Sequence, residues 1–150
     1  MIFGEFPITR LFALIGGIQA KSRRLAERTI KPMGLTYSQY GVLVALGEQD
    51  GVPQRVIAER LETDSNTVMV IVNSLEAKSL VTRVPAPADK RLRLVTLTKR
   101  GRSLLAAANA AVAPLYGSLA ERFSADELEG AQRPLSRIYS ILKDEELRDR

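Results

Sequence analysis

Residues 54–102 constrain this chain more than any other stretch: QRVIAERLETDSNTVMVIVNSLEAKSLVTRVPAPADKRLRLVTLTKRGR. A short apolar-periodic segment comes first, with Val56, Ile57 and Leu61. Glu62, Thr63 and Asp64 break its pattern. In the next segment Val68, Ile71, Val72 and Leu75 stand at i, i+3, i+4 and i+7, which puts all four on one helical face. Two helices joined so closely predict a helix-turn-helix. Residues 80–84 and 91–97 are then β-branched and apolar runs on either side of Pro85-Ala86-Pro87, which reads as strand, loop, strand.

A helix-turn-helix followed by a basic hairpin is a winged helix, so the fold expected is mainly α with a small β-wing. Charge points the same way. Residues 54–102 hold ten Lys/Arg against five Asp/Glu, a net of +5. Residues 1–53 carry +2 and residues 103–150 carry −2. Positive charge gathers where a DNA reader needs it, because phosphate neutralisation supplies most non-specific affinity. A solvated basic surface on an ordinary domain is the alternative.

The 150 residues suit one domain with a single sizeable core. No run reads as long and apolar enough to cross a membrane. The first 17 residues faintly resemble a leader, but they lack a basic leading region and continue as an amphipathic pattern. Export is therefore not expected, and the expected location is the cytoplasm. The chain has no cysteine and no histidine. That removes disulfides, thiol redox sensing, the usual zinc and transition-metal ligands, and the commonest general base. Neither a glycine-rich phosphate loop nor a nucleophile elbow is present. No enzymatic activity, cofactor or metal is expected.

Helices flank the motif on both sides. Pro7 suits a helix start and Lys31-Pro32 an end, with Leu11, Ile15, Ile18, Ser22, Leu25 and Thr29 on one stripe. Such a helix spans roughly 38 Å, more than a small domain needs for its own core, so part of it should pack on a partner. Thr36 and Gln39 read as a capping box, with Leu35 and Tyr40 as its staple. This helix should end near Gly47, and Val52 can add one short strand to the wing.

Asp64 is a natural N-cap for the second motif helix. Ser65, Asn66 and Thr67 occupy its first turn, where side chains and backbone N–H groups can reach phosphates or base edges. The face away from the core carries Asn66, Val70, Asn73 and Ala77, flanked by Met69 and Ser74. Val70 suits either a thymine methyl or packing against the wing or another helix.

Thr98 caps the next helix, and Lys99, Arg100 and Arg102 fill its first turn. Cations there oppose the helix dipole, which is easier to understand with a phosphate nearby. Leu104, Leu105, Ala108, Val112, Leu115 and Leu119 continue this helix, and Pro114 should kink or split it. Ser124 and Glu127 form a second capping box before a last helix bearing Leu128, Ala131, Leu135, Ile138, Tyr139 and Leu142, interrupted by Pro134. These end helices lack basic binding character and read as a dimerisation module. Leu11, Ile15, Leu115, Leu119, Leu135, Ile138 and Leu142 are its expected contacts.

The order of helix, capped helix after Gly34-Leu35-Thr36, helix-turn-helix, wing and two long helices resembles the MarR/SlyA family of bacterial regulators over nearly the whole chain. The most specific part is the wing stretch DKRLRLVTLT, residues 89–98, similar to the family's D-x-R…LT signature. Asn66-Thr67-Val68 and the run 75–83 also match. Glu62 and Ser79 stand where glycines are common, and Met69-Val70 replace a more polar pair.

On this reading residues 1–150 form one domain, with 34–100 as the winged helix-turn-helix and 7–32 and 101–147 as dimerisation helices. The resemblance implies a homodimer on an inverted-repeat operator in double-stranded DNA, usually a repressor released by a small ligand. It implies that Arg91 enters the minor groove with Asp89 holding its guanidinium, in keeping with the pull of a narrow A·T-rich groove on arginine. Asp89 as a plain turn residue is the alternative. Lys90, Arg93, Lys99 and Arg100 complete the expected DNA contacts. The ligand site would lie between the dimer helices and the winged helix, where Arg23 and Tyr40 offer a cation and a ring to an aromatic carboxylate. Tyr40 as a staple and Arg23 as a surface charge is the plainer alternative. A winged-helix DNA binder without small-molecule control is the competing function.

Overall fold

The computed structural model describes residues 6–148. Residues 1–5, the start of the stretch weighed as a leader, lie outside them. Pro7 opens helix α1 (Pro7–Ile30) at a position where its missing N–H costs nothing. Lys31-Pro32 end it in a single 3-10 turn, Lys31–Met33. Helices α2 (Tyr37–Glu48), α3 (Gln54–Arg60) and α4 (Ser65–Ala77) follow. Strands β1 (Val81–Pro85) and β2 (Arg93–Leu97) pair antiparallel, and α5 (Lys99–Ala120) and α6 (Ala125–Arg148) complete the chain.

The chain divides into two compact units, Met1–Ala113 and Pro114–Arg150, where the sequence predicts one domain. Among the described residues, the first unit holds all of the buried core. Val42, Leu43, Leu46, Ile57, Val68, Val72 and Leu75 come from α2 to α4, and Leu80, Val81 and Val95 come from the wing and its approach. Ala26 and Ile30 close this core from α1, and Leu105, Ala108 and Val112 from α5. None of the described residues of the second unit is buried, so its two amphipathic helical segments have no core of their own to fill.

The α1 stripe departs from expectation. Only Ala26 and Ile30, in the last turn, are buried. Leu11, Ile15, Ser22 and Thr29 are half-buried, while Ile18 and Leu25 are exposed. Pro114 does not split α5, which runs unbroken to Ala120, although the boundary between the two units falls at this proline. By length and composition α5 is also apolar enough to cross a membrane, contrary to the sequence reading. Its alanine run raises the apolar content, and Leu105, Ala108 and Val112 place one side of it in the protein core.

Polar contacts lock the helix-turn-helix. The Thr36 hydroxyl accepts from the Gln39 backbone N–H at 3.1 Å, and the Gln39 side-chain oxygen accepts from the Thr36 N–H at 3.0 Å, a complete capping box. Gln39 is buried, and its Nε2 donates to Ser74 Oγ at 2.7 Å. Lys78 Nζ donates to Gln39 Oε1 at 3.0 Å and to the Gly34 carbonyl at 2.7 Å. The cap of α2 therefore also fixes α4. Arg60 at the end of α3 donates to the Ala45 carbonyl at 2.9 Å and to the Gln49 side-chain oxygen, tying α3 to the C-terminal end of α2. Val52 forms the expected single bridge, to Val95.

Glu62 and Ser79, the two residues standing where glycines are common, have positive φ of 51° and 57°. A side chain in the left-handed region costs about 1–2 kcal/mol, partly offset by the lower entropy of a non-glycine unfolded chain. Ser79→Gly is expected to raise stability by about 0.5–1 kcal/mol in urea denaturation. A decrease would show that the turn carries no strain.

Candidate nucleic-acid interface

Asp64 caps α4. Its Oδ1 accepts from the Thr67 N–H at 2.8 Å and its Oδ2 from the Thr67 hydroxyl at 2.6 Å. The Thr67 hydroxyl, and after it the Thr67 backbone N–H, holds the Asp64 carboxyl below its usual pKa. A lowered carboxylate pKa means that the cap is in place at neutral pH and is lost as pH falls through that value. Thr67 thus spends its hydroxyl on the cap, while Ser65 and Asn66 stay exposed beside it.

Val68, Val72 and Leu75 are buried. On the other side Met69 is 43% exposed, Val70 64%, and Asn73 is exposed. Ser74, expected beside them, instead faces α2 through its bond to Gln39, because the buried Gln39 amide needs a partner.

In the wing Val81 pairs with Leu97, Arg83 with Val95 and Pro85 with Arg93. The second strand begins at Arg93, two residues later than the sequence suggests. The Asp89 carbonyl accepts from the Leu92 N–H at 3.0 Å, and the Leu92 carbonyl from the Ala86 N–H at 2.8 Å, so residues 86–92 form a closed tip. Asp89 Oδ1 accepts from the Arg91 backbone N–H at 2.9 Å. The expectation that Asp89 holds the Arg91 guanidinium is corrected accordingly: the carboxylate shapes the turn, as Asp commonly does. Lys90, Arg91 and Arg93 are all exposed around that turn.

Arg83 was not among the residues singled out from the sequence, yet it joins the wing to the helix-turn-helix. It donates to Gln54 Oε1 from Nε at 3.1 Å and from Nη2 at 2.8 Å, to Asn73 Oδ1 at 2.7 Å, and to the Glu76 carboxylate. Strand alternation carried the signal: Arg83 lies on the same strand face as buried Val81.

The wing meets α5 at Thr98. Its Oγ1 accepts from the Gly101 N–H at 2.9 Å and donates to the Ser79 carbonyl at 2.8 Å. Lys99 and Arg100 are exposed in this first turn. Arg102 is not open to a phosphate in the same way, since it pairs with Asp50 at 2.6 Å. Asp50 also accepts from the Leu97 N–H at 2.8 Å, so this pair ties the α2–α3 loop, β2 and α5 together.

A helix with a polar, partly apolar exposed side, tied to a hairpin with a basic tip, is the arrangement of winged DNA-binding modules. Residues 33–92 match the model of the MarR family. The transcriptional regulator HosA of Escherichia coli O157:H7 is 35% identical over 99 residues, covering 63% of this chain and 70% of HosA. The chain belongs to the MarR family. CouR from Rhodococcus jostii RHA1, solved bound to p-coumaroyl-CoA, is 30% identical, with a TM-score of 0.76 over 88% of this chain and 91% of CouR. A mutant MarR from E. coli, solved in complex with operator DNA, gives a TM-score of 0.81 at 27% identity, covering 92% of this chain and 98% of that one. Three other curated regulators are matched over 63%, 51% and 36% of their own length. The protein is a DNA-binding transcriptional regulator of the MarR family, and not an enzyme.

Arg23 lies 5.4 Å over the ring of Tyr37. The Tyr40 hydroxyl donates to Asn109 Oδ1 at 2.7 Å. Asn109 lines an open cleft of about 270 Å³ with Leu46, Gly47, Asp50, Leu97, Arg102, Leu105 and Ala106. Neither Arg23 nor Tyr40 lines it. Of the expected dimer residues Leu11, Ile15, Leu115 and Ile138 are half-buried, and Leu119, Leu135 and Leu142 are exposed.

Proposed function

We propose that the protein is a homodimeric repressor acting in the cytoplasm, reading an inverted-repeat operator with α4 and the wing and released by a small ligand. In this reading residues 34–100 contact DNA, and residues 7–32 and 101–147 dimerise. The observation that carries it is the exposed side of α4, with Asn66, Met69, Val70 and Asn73, joined through Arg83 to a wing whose tip exposes Lys90, Arg91 and Arg93. Base edges would meet the first group and phosphates or a minor groove the second.

Two substitutions separate these roles. Arg91→Ala is expected to weaken operator binding by about 1–3 kcal/mol with the fold intact. Lys99→Ala is expected to lower affinity for all sequences and reduce the salt slope by about one unit. Unchanged affinity of Arg91→Ala at physiological salt would mean that the wing tip does not touch DNA. Val70, the more exposed of the two apolar residues on α4, suits a thymine methyl. An operator with uracil in place of each contacted thymine should bind more weakly, and equal binding would leave Val70 without a base contact.

Dimerisation accounts for the apolar face of α6. Leu128, Ala131, Leu135, Ile138 and Leu142 recur at three- and four-residue spacing, the stripe of a helix that packs on another. Monomers rarely leave such a stripe to water.

Ligand release is supported by the likeness to CouR, whose solved structure holds an aromatic acyl thioester. One observation favours the competing reading of a constitutive DNA binder. Arg23, Tyr40 and Arg102 already have partners in Tyr37, Asn109 and Asp50. Thermal-shift screening against phenolic carboxylates and their coenzyme A thioesters separates the two. A stabilising compound that also lowers operator affinity supports control by ligand, and stabilisation by none of them supports the constitutive reading.

A further inference from the structure

The bond between Arg83 and Asn73 bears on which bases the protein selects. The inference rests on α4 being the helix that enters the groove. The Arg83 side chain is only 20% exposed. It is gripped by Gln54 of α3 and by Glu76 and Asn73 of α4. A guanidinium has donors and no acceptor. The Asn73 atom 2.7 Å from it is therefore the amide oxygen, and the orientation of this amide is fixed by chemistry. The nitrogen lies on the other branch of Cγ, on a side chain that is exposed. Turning the amide over would set its N–H groups against a cation that cannot accept.

We propose that Arg83 fixes the Asn73 amide with its nitrogen on the free branch, biasing this residue toward a major-groove acceptor edge, guanine N7/O6 or thymine O4. An unrestrained asparagine favours adenine, because its oxygen accepts from N6 while its nitrogen donates to N7. Here one of the oxygen's two lone pairs is held in a charge-assisted bond that fixes the oxygen on the Arg83 side, so the two-point adenine contact is open only to a base that also reaches the oxygen there. Cytosine presents only the N4 donor in the major groove, so it too is disfavoured.

Asn73→Asp tests this without changing size. One carboxylate oxygen keeps the Arg83 contact, and the outward atom changes from donor to acceptor. The full-length protein and the variant would each select binding sites from a random duplex library, with circular dichroism confirming the fold. The wild-type preference at one position per half-site should be guanine or thymine. In Asn73→Asp it should shift about tenfold or more toward cytosine or adenine, with other positions unaltered. Arg83→Lys, whose compact ammonium lacks the planar fork that spans Gln54, Asn73 and Glu76, should move the same position toward adenine. An unchanged profile for Asn73→Asp overturns the proposal. So does an equal loss on all sequences, which would place Asn73 against a phosphate. If the wild-type protein selects no sequence, the reading role of α4 fails, and the inference fails with it.

Discussion

Gly101→Ala is expected to lower stability by about 3 kcal/mol, at the upper end for an overpacked site. A Cβ built at Gly101 would sit 1.9 Å from the Leu80 carbonyl oxygen and 2.9 Å from its carbon. Neither atom belongs to a side chain that can turn aside. The same oxygen accepts from the Thr98 N–H at 3.1 Å. Leu80 is buried, and its N–H donates to Leu75. Making room would therefore pull α4, β1 and the start of α5 apart at once. Urea denaturation measures the effect, and a variant as stable as the wild type would mean that this junction is looser than its contacts indicate.

Placing aspartate at both Leu135 and Leu142 is expected to give a monomer and to weaken operator binding by about 100-fold to 10,000-fold. Both leucines lie on the exposed apolar stripe of α6. Two carboxylates there would have to be desolvated in any helix-to-helix contact. A dimer on an inverted repeat gains from the second half-site binding as an intramolecular step, and that gain disappears when the copies separate. The core of the first unit contains no residue of α6, so its helical signal should persist. Light scattering at micromolar concentration reports the assembly. A variant that stays dimeric would move the interface away from this stripe.

The elements that local chemistry determines were legible in the sequence. The Thr36–Gln39 and Ser124–Glu127 capping boxes and the Asp64 cap are closed by contacts within three residues, and all three form as expected. The face of Val68, Val72 and Leu75 follows from helical spacing alone. Contacts set by tertiary packing were not legible. Ser74 stands on the flank expected to meet DNA, and only the burial of Gln39, 35 positions away, explains its turn toward α2. Arg83 needed strand alternation and the proximity of Gln54, 29 positions away, to be seen as a joint. Asp89 and Arg91 do interact, but through a backbone N–H that sequence spacing cannot distinguish from a guanidinium. The positive φ of Glu62 and Ser79 shows only through the family resemblance, which places glycines there, because these residue types seldom adopt it.

In the proposed complex α4 and the wing, presented twice by a dimer, read DNA. Hydroxyl-radical footprinting of the full-length protein on promoter DNA upstream of its own gene tests it most directly. Two symmetric protected half-sites are expected, with centres about 34–36 Å apart or a multiple of that, and with the minor-groove protection lost in Arg91→Ala. Protection independent of sequence, or one patch without two-fold symmetry, would contradict it.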